Sequence, residues 1–396
     1  MTAAAVHESS RDRWLILGVL CLARTTMGFQ FQSIASVSGD LVRELGFSYV
    51  EIGTLIGLYM LPGVVVALPG GALAARYGDK SLAVFGLALM IAGDAVTAAV
   101  ATPDTLFAGR IVSGAGAVVF NVVLAKMVSD WFAGREIVTA MALTASTWPL
   151  GVALGLVGQG ALAQAAGWPS VMAATAGFSA VALILVAGRY RAPVEPSSSV
   201  ATATRFRLSG REFVLVSLAG LIWTFLNVGL TNYFSFAPDL LVERGSDAND
   251  AARMVSLGLW ISLVSIPLGG YLTERLGRPN TAIVVFGLVS ATAMFLMPFW
   301  AATVALCLLV GIGIGPPAGV IMALPAEVLG PENRAAGLGV FFTWYYAGMA
   351  VGPAIAGWGR DVTASAATPV LIGGAFFAAG VLILGLFRAL QSRPAK

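Results

Sequence analysis

Residues 137–188 read IVTAMALTASTWPLGVALGLVGQGALAQAAGWPSVMAATAGFSAVALILVAG and contain no Asp, Glu, Lys or Arg. Because a helix needs about 20 apolar residues to cross a bilayer, this stretch is long enough for two spanning helices. Gly167-Trp168-Pro169 lies within it and is typical of a turn at a membrane interface. The stretch therefore predicts a helical hairpin inside a membrane.

The composition of the whole chain agrees with this prediction. Of its 396 residues, 11% are charged and 58% are hydrophobic, whereas a soluble domain has about 25% charged residues. So few charges cannot cover a soluble globule, which excludes a cytosolic enzyme, a nucleic-acid binder, a disordered chain and a disulfide-rich secreted domain. An integral membrane protein in a lipid bilayer remains. Cys21 and Cys307 lie in separate apolar runs and are expected to be buried thiols.

The charge-free runs predict nine spanning helices. A break near Pro298-Phe299-Trp300 divides another long run into two spans. Three further spans, near residues 14–38, 81–101 and 105–127, contain Arg24, Asp94 and Arg110. The total is twelve transmembrane helices in an all-α protein. Most Lys and Arg residues fall on the side of the N-terminus, so both termini are expected in the cytoplasm of a multi-pass inner (plasma) membrane protein.

Sequence motifs repeat between the two halves of the chain. The segment Gly71–Gly78, GALAARYG, recurs as Gly270–Arg278, GYLTERLGR, 199 residues later. This repeat predicts two pseudo-symmetric six-helix bundles, residues 1–188 and 212–396, joined by a cytoplasmic linker over residues 189–211. Its Ser, Ala, Thr, Pro and Arg content indicates a flexible linker. Two parallel six-helix halves around a midplane site suit an alternating-access transporter.

On these motifs the chain resembles the major facilitator superfamily over essentially its whole length. The second loop copy fits the family signature G-x-L-a-D-R-x-G-R-K, with Glu274 in the acid position; in the first copy Ala75 replaces the acid and Asp79 a base. The segment Gly348–Pro353, GMAVGP, resembles the family's glycine–proline packing motif. More narrowly, Arg24 with Gly114-Ala-Gly116 and Asn121 is similar to the cyanate/nitroimidazole transporter branch.

The resemblance implies that spans 1, 4, 7 and 10 line a central cavity. Arg24 lies near the middle of span 1 with no second acid left to pair with it, so it is expected to bind an anion. The alternative is that Arg24 binds backbone carbonyls or shares Asp94. The predicted substrate-binding residues are Arg24, Phe31, Gln32, Asn121, Trp148, Trp223, Asn227, Trp344 and Tyr345.

Asp94 and Arg110 are expected at similar depth on neighbouring antiparallel helices. One hypothesis is a structural ion pair between them. The other makes Asp94 a proton carrier whose protonation depends on contact with Arg110; uniport and exchange need no such group. Pro316-Pro317 is expected to break span 10 locally.

The family geometry also implies a cytoplasmic gate. In it, Arg76 and Arg275 are expected to pair with Asp130 and Glu327 when the protein is open to the outside. The full set of gate residues is Gly71, Arg76, Gly78, Asp130, Gly270, Glu274, Arg275, Gly277, Arg278 and Glu327.

The leading functional hypothesis is a secondary active transporter, expected to be a monomer, that moves a small carboxylate- or cyanate-like anion by symport or antiport. The alternative is a proton-coupled multidrug exporter, although the spans offer no carboxylate to receive a cationic drug. A membrane sensor that does not transport is a third hypothesis. No nucleotide-binding loop, metal cluster or nucleophile–base pair is present, so neither an enzyme nor a cofactor is expected.

Overall fold

The computed structural model describes residues 3–66, 74, 76–100, 102–132, 136–192, 208–330 and 333–393. Over these ranges there is no β-strand, and twelve helices are long and apolar enough to span a membrane. The prediction of an all-α protein with twelve spans is therefore confirmed.

The spans are numbered in chain order. Spans 1 to 6 are Ala3–Ser36, Tyr49–Leu58 continued by Gly63–Val66, Asp79–Ala99, Pro103–Phe132, Ile137–Ala166 and Trp168–Arg189. Spans 7 to 12 are Gly210–Glu243, Ala248–Leu276, Pro279–Leu296, Thr303–Ala323, Arg334–Thr363 and Ala367–Gln391. Two shorter elements are the helix Ser38–Leu45 and the 3₁₀ helix Leu324–Glu327.

The predicted breaks between adjacent spans lie where the sequence placed them. Gly167 alone separates spans 5 and 6, and its φ of 77° lies in the left-handed region that favours glycine. Span 9 ends at Leu296 and span 10 begins at Thr303. The long charge-free runs therefore fold as helical hairpins.

The predicted break at Pro316-Pro317 is wrong, because span 10 stays helical through both prolines as far as Ala323. The two prolines lack the N–H groups that would bond the carbonyl oxygens of Ile312 and Gly313 within the helix. Pro316 nevertheless packs tightly against span 8, since a Cβ atom added at Gly269 would lie 2.6 Å from the Pro316 nitrogen. The close packing of spans 8 and 10 thus supports a continuous helix.

The ends of the chain define one side of the bundle, which we call the terminal side. There Arg191 binds Asp12, and Arg211 Nη2 donates to the carbonyl oxygen of Arg393 at 2.7 Å. The opposite side is called the far side. Spans 1–6 are called the N-half and spans 7–12 the C-half.

The two halves are apart on the terminal side. A vestibule of about 1340 Å³ lies between spans 1 and 5 of the N-half and spans 8 and 10 of the C-half. Its walls include Trp14 and Cys21 from one half and Tyr271 and Glu327 from the other. The bundle is therefore open at this end.

The far side is closed by direct packing of span 2 against span 11. A Cβ atom added at Gly57 would overlap the carbonyl oxygen of Ala350, and one added at Gly53 would overlap that of Pro353. Only glycine lets the two backbones approach so closely. This contact holds the N-half and the C-half together on the far side.

Polar groups at the far-side ends of the helices add to this closure. Asp361 accepts from the backbone N–H groups of Tyr49 and Val50, and Arg360 Nη1 binds Asp239 Oδ2 at 2.5 Å. The Arg360 guanidinium also lies 3.5 Å from the ring centroid of Tyr49. These five residues, which we call the far-side latch, join the ends of spans 2, 7 and 11.

Candidate functional site

A central cavity of about 200 Å³ lies between the two halves. Ile266 lines both this cavity and the terminal-side vestibule, so the two spaces adjoin. The structure brings together six of the nine predicted substrate-binding residues on the cavity wall: Arg24, Asn121, Trp148, Trp223, Asn227 and Tyr345.

Among the described residues that line the cavity, Arg24 carries the only charged side chain. Its Nη1 donates to Asn121 Oδ1 of span 4 at 2.8 Å. Its Nε is buried and has no hydrogen-bond partner among the described residues. Since a guanidinium carries five N–H donors in a planar fork, Arg24 keeps donors for a ligand in the cavity.

The remaining polar groups of the cavity are neutral. Asn227 and Ser262 come from the C-half, and Asn227 Nδ2 donates to the carbonyl oxygen of Trp223 at 2.8 Å. Tyr345 and Tyr346 of span 11 add two hydroxyl-bearing rings. Within the described part of the chain the cavity wall carries no carboxylate, so the arrangement favours a negatively charged ligand over a positively charged one.

Aromatic rings separate the cavity from the far side. Phe31 is buried, and its ring centroid lies 5.3 Å from Trp148 and 6.0 Å from Phe234. It also packs against Tyr59 at 5.6 Å. Phe31 and Phe234 belong to opposite halves, so this cluster closes the cavity at the level of Phe31.

Besides Phe31, two further predicted substrate-binding residues, Gln32 and Trp344, do not line the cavity. Gln32 lies eight residues after Arg24, about 12 Å along the helix, and opens instead to a separate far-side pocket of about 670 Å³. Its Nε2 donates to Ser36 Oγ at 3.3 Å. Trp344 is 39% exposed on the outer surface. Successive helical residues lie about 100° apart, and the neighbouring Tyr345 is the one that lines the cavity.

Asp94 and Arg110 are both buried, but the predicted direct ion pair between them is wrong. Asp94 Oδ2 accepts from Gln30 Nε2 at 2.6 Å and from the hydroxyl of Thr175. The Arg110 guanidinium binds the backbone carbonyl oxygens of Gln30, Phe31 and Leu55 at 3.0, 3.2 and 3.2 Å. Each ionisable group is thus satisfied by neutral partners on neighbouring spans.

Gln30 and Tyr59 join these two residues to the cavity, and sequence reasoning missed both. The Tyr59 hydroxyl donates to Gln30 Oε1 at 2.9 Å, while its ring lies 4.7 Å below the Arg110 guanidinium. Tyr59 also lines the cavity. A hydrogen-bond chain therefore runs from Asp94 through Gln30 to the cavity wall. The sequence feature that could have indicated Gln30 is its uncharged amide inside the apolar span 1.

Asp130 and Glu327 of the predicted gate lie on the terminal side. In this conformation they bind partners other than Arg76 and Arg275. Lys126 Nζ binds Asp79 and Asp130 at 2.5 and 2.8 Å. Glu327 binds Arg388 of span 12. The predicted pairs with Arg76 and Arg275 belong to the opposite conformation and stay a prediction.

The other gate residues are placed as follows. Arg76 is exposed, with its guanidinium 5.4 Å from the Tyr77 ring. Gly71 lies outside the described residues, and Gly78 precedes span 3 with φ of 82°. The vestibule wall includes Gly270, Glu274 and Gly277, while Arg275 and Arg278 are exposed.

The known relatives of this chain match it over different shares of its length. The YajR inner membrane transport protein of Escherichia coli is 24% identical over 79% of this chain and 70% of its own length. The methylenomycin A resistance protein of Bacillus subtilis is 28% identical over 46% of this chain. The match covers only 40% of that resistance protein.

A solved structure shares the fold. The crystal structure of a bacterial homologue of the human lysosomal transporter Spinster, in an inward-facing and occupied conformation, superimposes with a TM-score of 0.74. It is 16% identical, and the match covers 96% of each chain. The family model of the Major Facilitator Superfamily matches residues 20–353 and also 213–396. The chain therefore belongs to the Major Facilitator Superfamily of membrane transporters.

Proposed function

We propose that the protein is a secondary transporter that moves a small anion across the inner (plasma) membrane by alternating access. The distribution of Lys and Arg supports an orientation with both termini in the cytoplasm. In that orientation the terminal-side vestibule faces the cytoplasm and the far-side latch faces outward. The present conformation is then inward-open.

The observation that carries this proposal is the environment of Arg24. A buried charge inside a bundle costs free energy unless it is paired or hydrogen-bonded. Arg24 faces the cavity between the halves, has Asn121 as its neutral partner, and its Nε has no partner among the described residues. A bound anion supplies the missing charge and acceptors.

The proposal is tested by ligand-induced thermal stabilisation of the detergent-purified protein. The panel contains nitrate, cyanate, small carboxylates and lipophilic cations, each applied to wild type and Arg24→Gln. A ligand that binds only the folded state raises its stability by RT ln(1 + [L]/Kd). We expect anions to stabilise the wild type and not Arg24→Gln. The matched control is Arg253→Gln, since Arg253 is exposed at the far side.

The second candidate function is proton-coupled multidrug export. The name of the methylenomycin A resistance protein supports only the part that concerns drug resistance. In that case lipophilic cations would stabilise the protein equally in wild type and Arg24→Gln. The uncompensated charge of Arg24 in the cavity argues against cationic drugs. Anion stabilisation that persists in Arg24→Gln would contradict the role of Arg24 in the leading proposal.

For either function we propose Asp94 as the group that carries a coupling proton. It is an acid buried within the N-half, and the chain through Gln30 and Tyr59 ends at the cavity. Protonation gives the Asp94 carboxyl an O–H donor that the carboxylate lacks. Because Oδ2 accepts from Gln30 Nε2, a proton on that oxygen must reorder this bond. The Gln30 amide oxygen in turn accepts from the Tyr59 hydroxyl. This chain therefore links the protonation state of Asp94 to the cavity wall.

A further inference from the structure

We infer that the transported anion is a monocarboxylate that carries one ring, such as a benzoate-sized molecule. This inference rests on the proposed function, because it specifies the ligand of the same cavity. Three features of the structure support it: the size of the cavity, the single charge on the described part of its wall and the predominantly apolar character of the remaining surface.

The cavity is too large for an inorganic anion alone. A water molecule occupies about 30 Å³ of liquid, so the volume of about 200 Å³ corresponds to about seven waters. Nitrate and cyanate have only four and three heavy atoms and would leave most of this space empty. An apolar cavity of about 150 Å³ accommodates a benzene ring. A ring with one carboxylate therefore matches the available volume.

The charge on the wall fits one carboxylate. Of the described residues on the cavity wall, Arg24 alone is cationic, and Asn121 adds a neutral amide beside it. A carboxylate accepts two parallel N–H bonds from a guanidinium fork. A second carboxylate on the same ligand would lie in the cavity without a positive partner, which is costly in a region of low dielectric constant.

The rest of the wall is suited to a flat apolar body. Trp148 of the N-half and Trp223 of the C-half contribute indole rings, and Phe234 and Tyr345 contribute further aromatic surface. Trp223 and Tyr345 lie 6.3 Å apart between ring centroids. Aromatic side chains bind rings by offset or edge-to-face contacts as well as by loss of apolar surface to water.

The vestibule, through which a ligand would enter the cavity, is also lined mainly by apolar side chains. The vestibule wall includes Trp14, Leu17, Leu143, Leu263 and Tyr271. A strongly hydrated inorganic anion would gain little from this surface, whereas a ligand with an apolar ring is attracted to it. Entry route and cavity therefore select for the same amphipathic anion.

The test is a comparison of isosteric probes on the purified full-length protein. Benzoate is compared with benzamide, benzylammonium and cyclohexanecarboxylate, which change the charge or the ring. Terephthalate adds a second carboxylate, and acetate, nitrate and cyanate lack the ring. Dissociation constants are measured by isothermal titration calorimetry and by thermal stabilisation at millimolar ligand.

We expect benzoate to bind at least about tenfold more tightly than acetate, nitrate, cyanate, benzamide or terephthalate. Cyclohexanecarboxylate should bind within about tenfold of benzoate, since it keeps the carboxylate and the volume. Arg24→Gln should weaken benzoate binding by about 10- to 100-fold. Arg24→Lys should recover only part of this loss, because an ammonium lacks the planar fork.

The aromatic wall is tested separately. Trp148→Ala and Trp223→Ala should each weaken benzoate binding by about tenfold while leaving acetate binding unchanged. The control is Trp358→Ala, because Trp358 is 58% exposed on the outer surface of span 11. If an alanine variant does not fold, Trp148→Phe and Trp223→Phe take its place and should weaken benzoate binding by about threefold.

The outcomes separate this inference from the proposed function. If nitrate or cyanate binds as tightly as benzoate and loses affinity in Arg24→Gln, the ring-bearing substrate is excluded and the anion transporter remains. If benzamide equals benzoate and Arg24→Gln has no effect, both proposals fail. If benzoate and cyclohexanecarboxylate both fail to bind the wild type at millimolar concentration, the inference is overturned.

Discussion

The carboxylate of Asp361, at the end of span 11, caps the first turn of span 2 by accepting from Tyr49 N at 2.9 Å and Val50 N at 2.8 Å. The first N–H groups of a helix lack partners within it and carry partial positive charge. An acid from the C-half thus satisfies donors of the N-half. Opening of the far side must break this contact.

The first prediction concerns this cap. Asp361→Asn removes the charge from two hydrogen bonds at an exposed site. We expect this loss to destabilise the present conformation by about 1–2 kcal/mol relative to the conformation that is open on the far side. The equilibrium between the two conformations should then shift by about 5- to 30-fold toward far-side opening. The measurement is the rate at which a maleimide modifies Cys21, which lines the vestibule while Cys307 is buried.

Modification of Cys21 in Asp361→Asn should be slower than in wild type, because the proposed alternating access closes the vestibule when the far side opens. Asp250→Asn is the control, since Asp250 pairs only with Arg253 on the same exposed turn. An unchanged rate in Asp361→Asn, together with an unchanged rate in the control, would show that the cap does not hold the far side closed.

The second prediction uses the contact between spans 2 and 11. Gly57→Ala places a methyl group against the carbonyl oxygen of Ala350, which is backbone and has little freedom to move. The substitution should disfavour the present conformation and slow Cys21 modification several-fold. Gly177→Ala is the matched control, because an added Cβ there meets no atom within 4 Å. Equal rates in the two variants would contradict the close-packing argument.

The third prediction concerns stability. Arg110 binds three backbone carbonyls of spans 1 and 2, and the three donors of a lysine ammonium cannot reach all of them in the same geometry. Arg110→Lys should destabilise the protein by about 3 kcal/mol, as expected when a buried charge loses its partners. The apparent Tm in detergent should fall by several degrees, whereas Arg253→Lys at the surface should leave it unchanged.

The fourth prediction separates coupling from substrate binding. Asp94→Asn keeps an oxygen that accepts from Gln30 and Thr175 but cannot carry a proton. In proteoliposomes it should abolish substrate accumulation driven by a pH gradient and retain substrate exchange within about threefold of wild type. Asp104→Asn, in the exposed first turn of span 4, is the control. Gradient-driven accumulation in Asp94→Asn at the wild-type rate would remove Asp94 from the coupling mechanism.

The fifth prediction concerns the terminal-side gate. Glu327 binds Arg388 in the present conformation, and we expect it to exchange this partner for Arg275 when the vestibule closes. Arg275→Gln should therefore accelerate Cys21 modification, and Arg388→Gln should slow it. Each pair is partly exposed and contributes about 1 kcal/mol or less, so effects of two- to fivefold are expected. Changes in the same direction for both variants would exclude the exchange of partners.

Some features of the protein follow from its sequence because they depend only on local composition. Charge-free runs of the right length, such as residues 137–188, require spanning helices, since a bilayer offers no hydrogen-bond partner to an open backbone. The turn at Gly167 and the family motifs are equally local. The prediction that Arg24 belongs to the candidate site likewise rests on a local feature, a charge in an apolar run without a matching acid.

The partners of buried polar groups were decided by the tertiary structure. Equal depth on neighbouring helices suggested an Asp94–Arg110 pair, but rotation of the helices about their axes directs Arg110 to carbonyls of spans 1 and 2 and Asp94 to Gln30 and Thr175. Helical periodicity alone did not show that Gln32 lies beyond Phe31. Sequence thus determined which segments enter the membrane and which charges they carry, because burial depends on composition. Only the packing of twelve helices decided which groups meet, because that depends on the rotation, tilt and spacing of elements far apart in the chain.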